Sequence, residues 1–147
     1  MLSELDFRVR HAVYRTFAEG GIPLSAILAN TLALPLDAVR DAYARLHQAH
    51  ALVLDPQTSE VRMALPFSAV ATAHRVICGD RSWFANCAWD AFAIPPLMQC
   101  EARVESSCAD CDALMAYHIE GDNLHDAHGV VHFAVPAARW WDDIGFT

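Results

Sequence analysis

The sequence predicts an α+β protein in two parts, and three observations carry that prediction. Apolar residues recur at helical spacing through the first third of the chain. The period then shortens to strand-like alternation on both sides of a turn-rich stretch. Beyond it, short alternating segments surround one long aromatic run, Ser82 to Pro96, which reads as a helix bearing a thiol, Cys87, and a carboxyl, Asp90. Residues 1–66 should thus form three helices and a hairpin. Residues 67–147 should form a small mixed or antiparallel sheet packed with the Cys-bearing helix.

Ser3 is placed to cap a first helix whose apolar positions Leu5, Val9, Ala12, Val13 and Phe17 fall in register. Gly20-Gly21 stops it, and Pro23 blocks its continuation. Ser25 can cap a short second helix carrying Ile27, Leu28 and Leu32. Pro35 precedes a third, with Val39, Ala42, Tyr43 and Leu46 on one face. Ala51 to Leu54 and Val61 to Leu65 then flank the turn-rich Asp55-Pro56-Gln57-Thr58-Ser59-Glu60.

That order is winged-helix-like, yet the charges argue against a duplex reader. The third helix offers Arg40 and Arg45 but also Asp37 and Asp41, and residues 1–66 hold six Arg against seven acids.

In the second part, Arg75 to Cys78 reads as a strand ending at Gly79-Asp80. The aromatic helix follows and is ended or kinked by Pro95-Pro96. Glu101 to Ser107 and Ala113 to Ile119 alternate as strands. Gly121-Asp122-Asn123 turns the chain, and Gly129 to Val135 reads as a buried strand closed by Pro136. The expected sheet has three or four strands.

Composition narrows the function classes. At 147 residues and 54% hydrophobic, the chain can bury a substantial core. No run reaches the length of an apolar membrane span, and the acidic N-terminus does not read as a secretory signal. Five cysteines, an odd number, point to free thiols or metal ligands in a reducing cytoplasm, not to a disulfide framework. A net charge of −8 argues against nucleic acid as a partner.

The candidate chemistry lies first in Cys87 and Asp90. On a helix their spacing puts both on one face. A carboxyl among Trp83, Phe84, Trp89 and Phe92 would be poorly solvated, which favours its protonated form. A soft nucleophile would then sit beside a proton donor. The plain alternative is a buried, inert Cys87 and a lone surface acid.

A second group is Cys108-Ala-Asp-Cys111, a metal-knuckle spacing between two strands, with thirteen residues separating it from His125-Asp-Ala-His128. Two Cys and two His could complete a structural zinc shell. The tight His-x-x-His spacing and the strand beside His128 argue against it. A redox role is disfavoured because such a pair usually opens a helix. Cys78 and Cys100 flank the aromatic helix and look like core positions, and the remaining histidines, including His11, His74 and His132, lack ligand spacing.

Cys87-Ala-Trp-Asp90, then Ile94-Pro95-Pro96-Leu97, then Ala102-Arg103-Val104-x-Ser106-Ser107 leading to Cys108, resembles the organomercurial (alkylmercury) lyase family. In that family an aliphatic, Trp-rich helix carries Cys-Ala-Leu-Asp, and a strand reading Ala-Arg-Val-x-Ser-Ser ends in another Cys. The resemblance runs from Arg75 to Pro136 and extends to the winged-helix-like start. It implies protonolysis of a carbon–mercury bond in a small organomercurial. Cys87 would be the thiolate ligand and Asp90 the proton donor, with Hg(II) as bound product, no cofactor required and cellular thiols as helpers. Mercury, being soft, prefers thiolate.

One departure bears on turnover. The family's second catalytic cysteine follows a Phe some way beyond the Pro that closes the strand equated here with Val130 to Pro136. Counting ten from Pro136 reaches Phe146, which Thr147 follows, so that thiol is not among these 147 residues. The chain is expected to be either a truncated form or a short relative, with impaired turnover. Cys108, Cys111 or His128 are the candidates to join Cys87 around a metal. The alternatives are a non-catalytic protein that binds or senses a soft metal such as Hg or Zn, and a winged-helix regulator.

Overall fold

The computed structural model describes residues 1–125 and 127–145. Three helices open the chain: α1 (Glu4–Ala18), α2 (Ser25–Leu32) and α3 (Leu36–Gln48). Ser3 caps α1 as expected, and the apolar stripe of α1 buries Val9, Ala12, Val13 and Phe17. The cap of α2 differs. Leu24 occupies the cap position, and Ser25, the first helical residue, gives its N–H and hydroxyl to the Glu60 carboxylate at 2.7 and 2.5 Å. Arg45 of α3 is engaged by the buried carboxylate of Asp6 at 2.8 Å, which ties α3 to the start of α1.

Eight antiparallel strands follow: β1 (Val53–Leu54), β2 (Val61–Ala64), β3 (Phe67–Ser68), β4 (His74–Cys78), β5 (Arg81–Ala85), β6 (Ala102–Ser107), β7 (Leu114–Glu120) and β8 (Asn123–His125). They form one sheet in the order β1-β2-β3-β5-β4-β6-β7-β8. Its size corrects the expected three or four strands. Short β3 is the link: it pairs with β2 through Ala64↔Phe67 and with β5 through Phe67↔Ala85, so the hairpin and the later strands share one ladder.

Two further expectations are corrected here. Trp83 and Phe84 belong to β5, not to the helix, because Arg75↔Phe84 and Val76↔Trp83 pair them with β4. The helix α4 (Ala88–Met98) therefore starts later. The Gly129 to Val135 segment forms no strand. Val130 is 92% exposed, and the chain runs irregularly to a short 3-10 helix at Ala137–Asp142. Its apolar residues alone do not supply a strand partner.

The alternation of β4, β5, β6 and β7 buries Val76, Trp83, Ala85, Val104, Tyr117 and Ile119 in one core with Phe17, Tyr43 and Leu46 of the helices. Trp83 donates its indole N–H to the Phe17 carbonyl at 2.6 Å, while Phe67 stacks on Phe17 at 5.3 Å. Removing apolar surface of this extent from water is what holds sheet and helices together. No helix among the described residues is long and apolar enough to cross a membrane.

Candidate active site

Helix α4 is fixed at both ends, and that fixes the candidate residues. At its C-terminal end Gln99 takes a left-handed conformation (φ 50°), and Cys100 N–H bonds back to Pro95 O at 3.1 Å. Cys100 then joins Cys78 at the end of β4 in a disulfide. This corrects the expectation that all the cysteines would be free or metal-bound. Their separation of 22 residues gives no local pairing signal. Pro95 and Pro96 lie in the last turns of α4, where they remove helical N–H donors without ending the helix.

At the N-terminal end Cys87 is the cap residue, with extended backbone (φ −146°, ψ 177°), and its Sγ accepts the Asp90 N–H at 3.5 Å. Cap and third helical residue therefore meet by capping geometry, not by sharing a helix face. That backbone N–H bond is the hydrogen bond that joins the two residues, and it sets the Asp90 carboxyl beside the thiol.

Asn86, which sequence reasoning missed, holds this corner. Its amide nitrogen lies 3.1 and 3.2 Å from the carbonyls of Pro66 and Phe67, and 3.2 Å from Asp90 Oδ2. It thus ties the entry of α4 to β3 and orients the carboxyl. The available signal was a lone amide inside an apolar run, directly before the cap. Its own carbonyl oxygen is buried with no hydrogen-bond partner among the described residues.

Both candidate groups are half-buried. Burial raises the Asp90 carboxyl above its ordinary value, opposed by the Asn86 amide and the Cys87 thiol. No cationic side chain among the described residues pairs with it. Burial likewise raises the Cys87 thiol, with the Asp90 N–H opposing and the Asp90 charge reinforcing. Burial thus favours the neutral thiol and increases the proton affinity of the carboxyl next to it.

The aromatic wall expected around Asp90 is built differently. Trp83 faces Phe17 and Phe67. Trp89 points outward, 60% exposed, with Phe133 at 6.3 Å. It borders an open apolar trough of about 600 Å³ completed by Phe133, Val135 and Trp140.

The other candidate ligands are distributed more widely. Cys108 and Cys111 lie together in the turn between β6 and β7, where the backbone N–H groups of Asp110 and Cys111 hold the Cys108 thiol below its ordinary pKa. His128 stacks on Tyr117 at 4.9 Å, and Tyr117 donates its hydroxyl to the His128 carbonyl. His125 pairs with Glu120 at 3.7 Å. Among the described residues no group of three or more His, Cys, Asp or Glu converges as a metal site. The two Cys and two His considered for zinc are thus not drawn into one shell. Phe146, the marker for the second thiol, lies outside the described residues.

The alkylmercury lyase family profile matches residues 67–147, more than half of the chain and the whole of the segment just described. The chain belongs to the alkylmercury lyase family. Its fold agrees with that of a solved chain described as the mercury-bound form of MerB2, with a TM-score of 0.66 at 18% identity. The superposition covers 84% of this chain and 59% of the MerB2 chain, so the lyase-family chain described here spans less than two thirds of that relative's length. No curated protein matches it.

Proposed function

We propose that this lyase-family protein cleaves a carbon–mercury bond by protonolysis, with Cys87 as the mercury ligand and Asp90 as the proton carrier. As the Cys87 sulfur bonds to the mercury of the organomercurial, the counter-ligand on mercury leaves as an anion and the thiol proton passes to the Asp90 carboxylate. Asp90 then delivers that proton to the carbon. The carbon keeps the electron pair of the breaking bond and leaves as a hydrocarbon. No electrons are exchanged, and Hg(II) stays on sulfur.

The observation that supports this reading is the meeting of Cys87 and Asp90 at the entry of α4, where the Asp90 N–H bonds the Cys87 sulfur at 3.5 Å and burial holds the carboxyl above its ordinary value. A general acid within hydrogen-bond reach and with an upward-tuned pKa is suited to such a transfer. A second thiolate on the metal increases its electron density and weakens its bond to carbon. A small thiol can supply it, so hydrocarbon release should rise with thiol concentration. Detoxification of organomercurials, and hence mercury resistance, is the physiological role we assign.

Benzene release from phenylmercury in excess thiol tests the assignment. The unaltered chain should release benzene, and Cys87→Ala should not. Undiminished release by Cys87→Ala would end it. Phenylmercury held on the protein without any benzene release would point instead to a soft-metal binding protein.

A further inference from the structure

We propose that Cys108 and Cys111 form a separate two-thiolate site for a soft, two-coordinate cation, with Hg(II) as its ligand. The inference rests on the lyase reading only for which metal the protein meets.

The turn is built to hold both sulfurs in place. Cys108 N–H bonds to Ala113 O, and Asp112 N–H bonds to Cys108 O, both at 2.9 Å, closing a tight loop between the strands. Cys111 falls inside that loop, so one tight turn carries both thiols. Cys111 is exposed and Cys108 half-buried, so the pair is open to solvent without being loose. Asp110 and Asp112 of the same loop are exposed and add negative charge beside an incoming cation.

The donor set selects the ion. With no third His, Cys, Asp or Glu converging on the pair among the described residues, a tetrahedral ion would lack ligands. A linear, thiophilic ion needs only two. Binding replaces two S–H bonds by two S–Hg bonds and releases two protons to solvent, with no change of oxidation state.

The topology also sets this site beside the candidate active site. His74↔Ser106 and Arg75↔Phe84 bring the ends of β5 and β6 to one edge of the sheet. Cys87 follows the first end and Cys108 the second, with only β4 between them. Two strand spacings put them about 10 Å apart. Cys108 continues the phase of Ala102, Val104 and Ser106, the face on which Tyr117 meets Phe92 of α4 at 5.1 Å. Mercury leaving Cys87 would thus find a chelating pair on the same face of the same edge.

The test uses inorganic Hg(II) and the full chain carrying Cys87→Ala, so that it does not depend on cleavage. Binding is followed by sulfur-to-mercury charge-transfer absorption and by mass spectrometry, with iodide as competitor. The Cys87→Ala chain should hold one Hg(II), and adding Cys111→Ser should weaken it by about a hundredfold or more, the loss expected when a chelate becomes a single thiol. Cys108→Ser should do the same. A Cys87→Ala chain that binds no Hg(II), or one whose affinity survives either serine substitution, overturns the proposal. Absence of hydrocarbon release from the unaltered chain would count against the lyase reading and leave this one standing.

Discussion

Helices α1 and α4 begin with the same local device, yet their carboxyls are shifted in opposite directions. Each has a cap residue followed, three positions on, by an aspartate: Ser3 with Asp6, and Cys87 with Asp90. At α1 the hydroxyl accepts the Asp6 N–H at 3.3 Å while Asp6 returns to the Ser3 N–H at 2.7 Å, closing a reciprocal box. Arg45 then bonds the buried Asp6 carboxylate, and mainly for that reason its pKa falls to about 2. At α4 the partners are a neutral amide and a thiol, and burial moves Asp90 the other way. The difference teaches that the cap is a scaffold, while the further partners and the burial of the carboxyl decide whether its pKa falls or rises.

The largest expected effect comes from exchanging the cap atoms. Cys87→Ser keeps an acceptor for the Asp90 N–H, so its melting temperature should stay close to that of the unaltered chain. A hard hydroxyl is a poor mercury ligand, so benzene release from phenylmercury should fall by about a hundredfold or more. Ser3→Cys, the reverse exchange, should leave release unchanged. If Cys87→Ser retains release, the two caps are chemically equivalent and the contrast fails.

Asp6 comes next. Asp6→Ala removes a buried carboxylate with a large downward shift, and urea denaturation at neutral pH should read a loss on the order of 2 kcal/mol. The sign follows from the shift. Because its folded pKa lies below the model-peptide value of 3.8, its stabilisation is complete above that value and is lost as pH falls towards about 2. The difference between Asp6→Ala and the unaltered chain should therefore close over that interval.

Ser3→Ala should cost about 1 kcal/mol, the usual worth of such a cap. The smallest effect has the opposite sign. Asp90 is raised, so its ionised form opposes folding above its folded pKa, and the opposition vanishes as pH falls below the unfolded value. Asp90→Asn should accordingly raise the melting temperature at neutral pH, and the gain should shrink in acid. A melting temperature lowered at neutral pH would mean that Asp90, like Asp6, is held as a structural anion.

How much of this was legible in the sequence varies by region. The helices α1 and α3 were, because amphipathic spacing over several turns is a local signal that tertiary packing reinforces. The Cys87–Asp90 pairing was legible as well, though for a different geometric reason, since spacing of three serves a cap as well as a helix face. Strand β5 was not. In the run from Ser82 onward the apolar residues are too continuous to distinguish a buried strand from a buried helix, and only pairing with β4 decides it. Gly129 to Val135 failed in the other direction, since apolar composition says nothing about whether a ladder partner exists. Asn86 and the Cys78–Cys100 pair depend on contacts across the fold that no local pattern encodes.

The most direct test of the account is a single turnover of phenylmercury on the unaltered chain and on Asp90→Asn, with mercury located by peptide mass spectrometry and benzene measured in the same samples. The account predicts phenylmercury on Cys87 in both proteins, and benzene released by the unaltered chain but, in Asp90→Asn, reduced by roughly a hundredfold or more. Benzene appearing equally fast from Asp90→Asn, or phenylmercury captured on another thiol in place of Cys87, would contradict it.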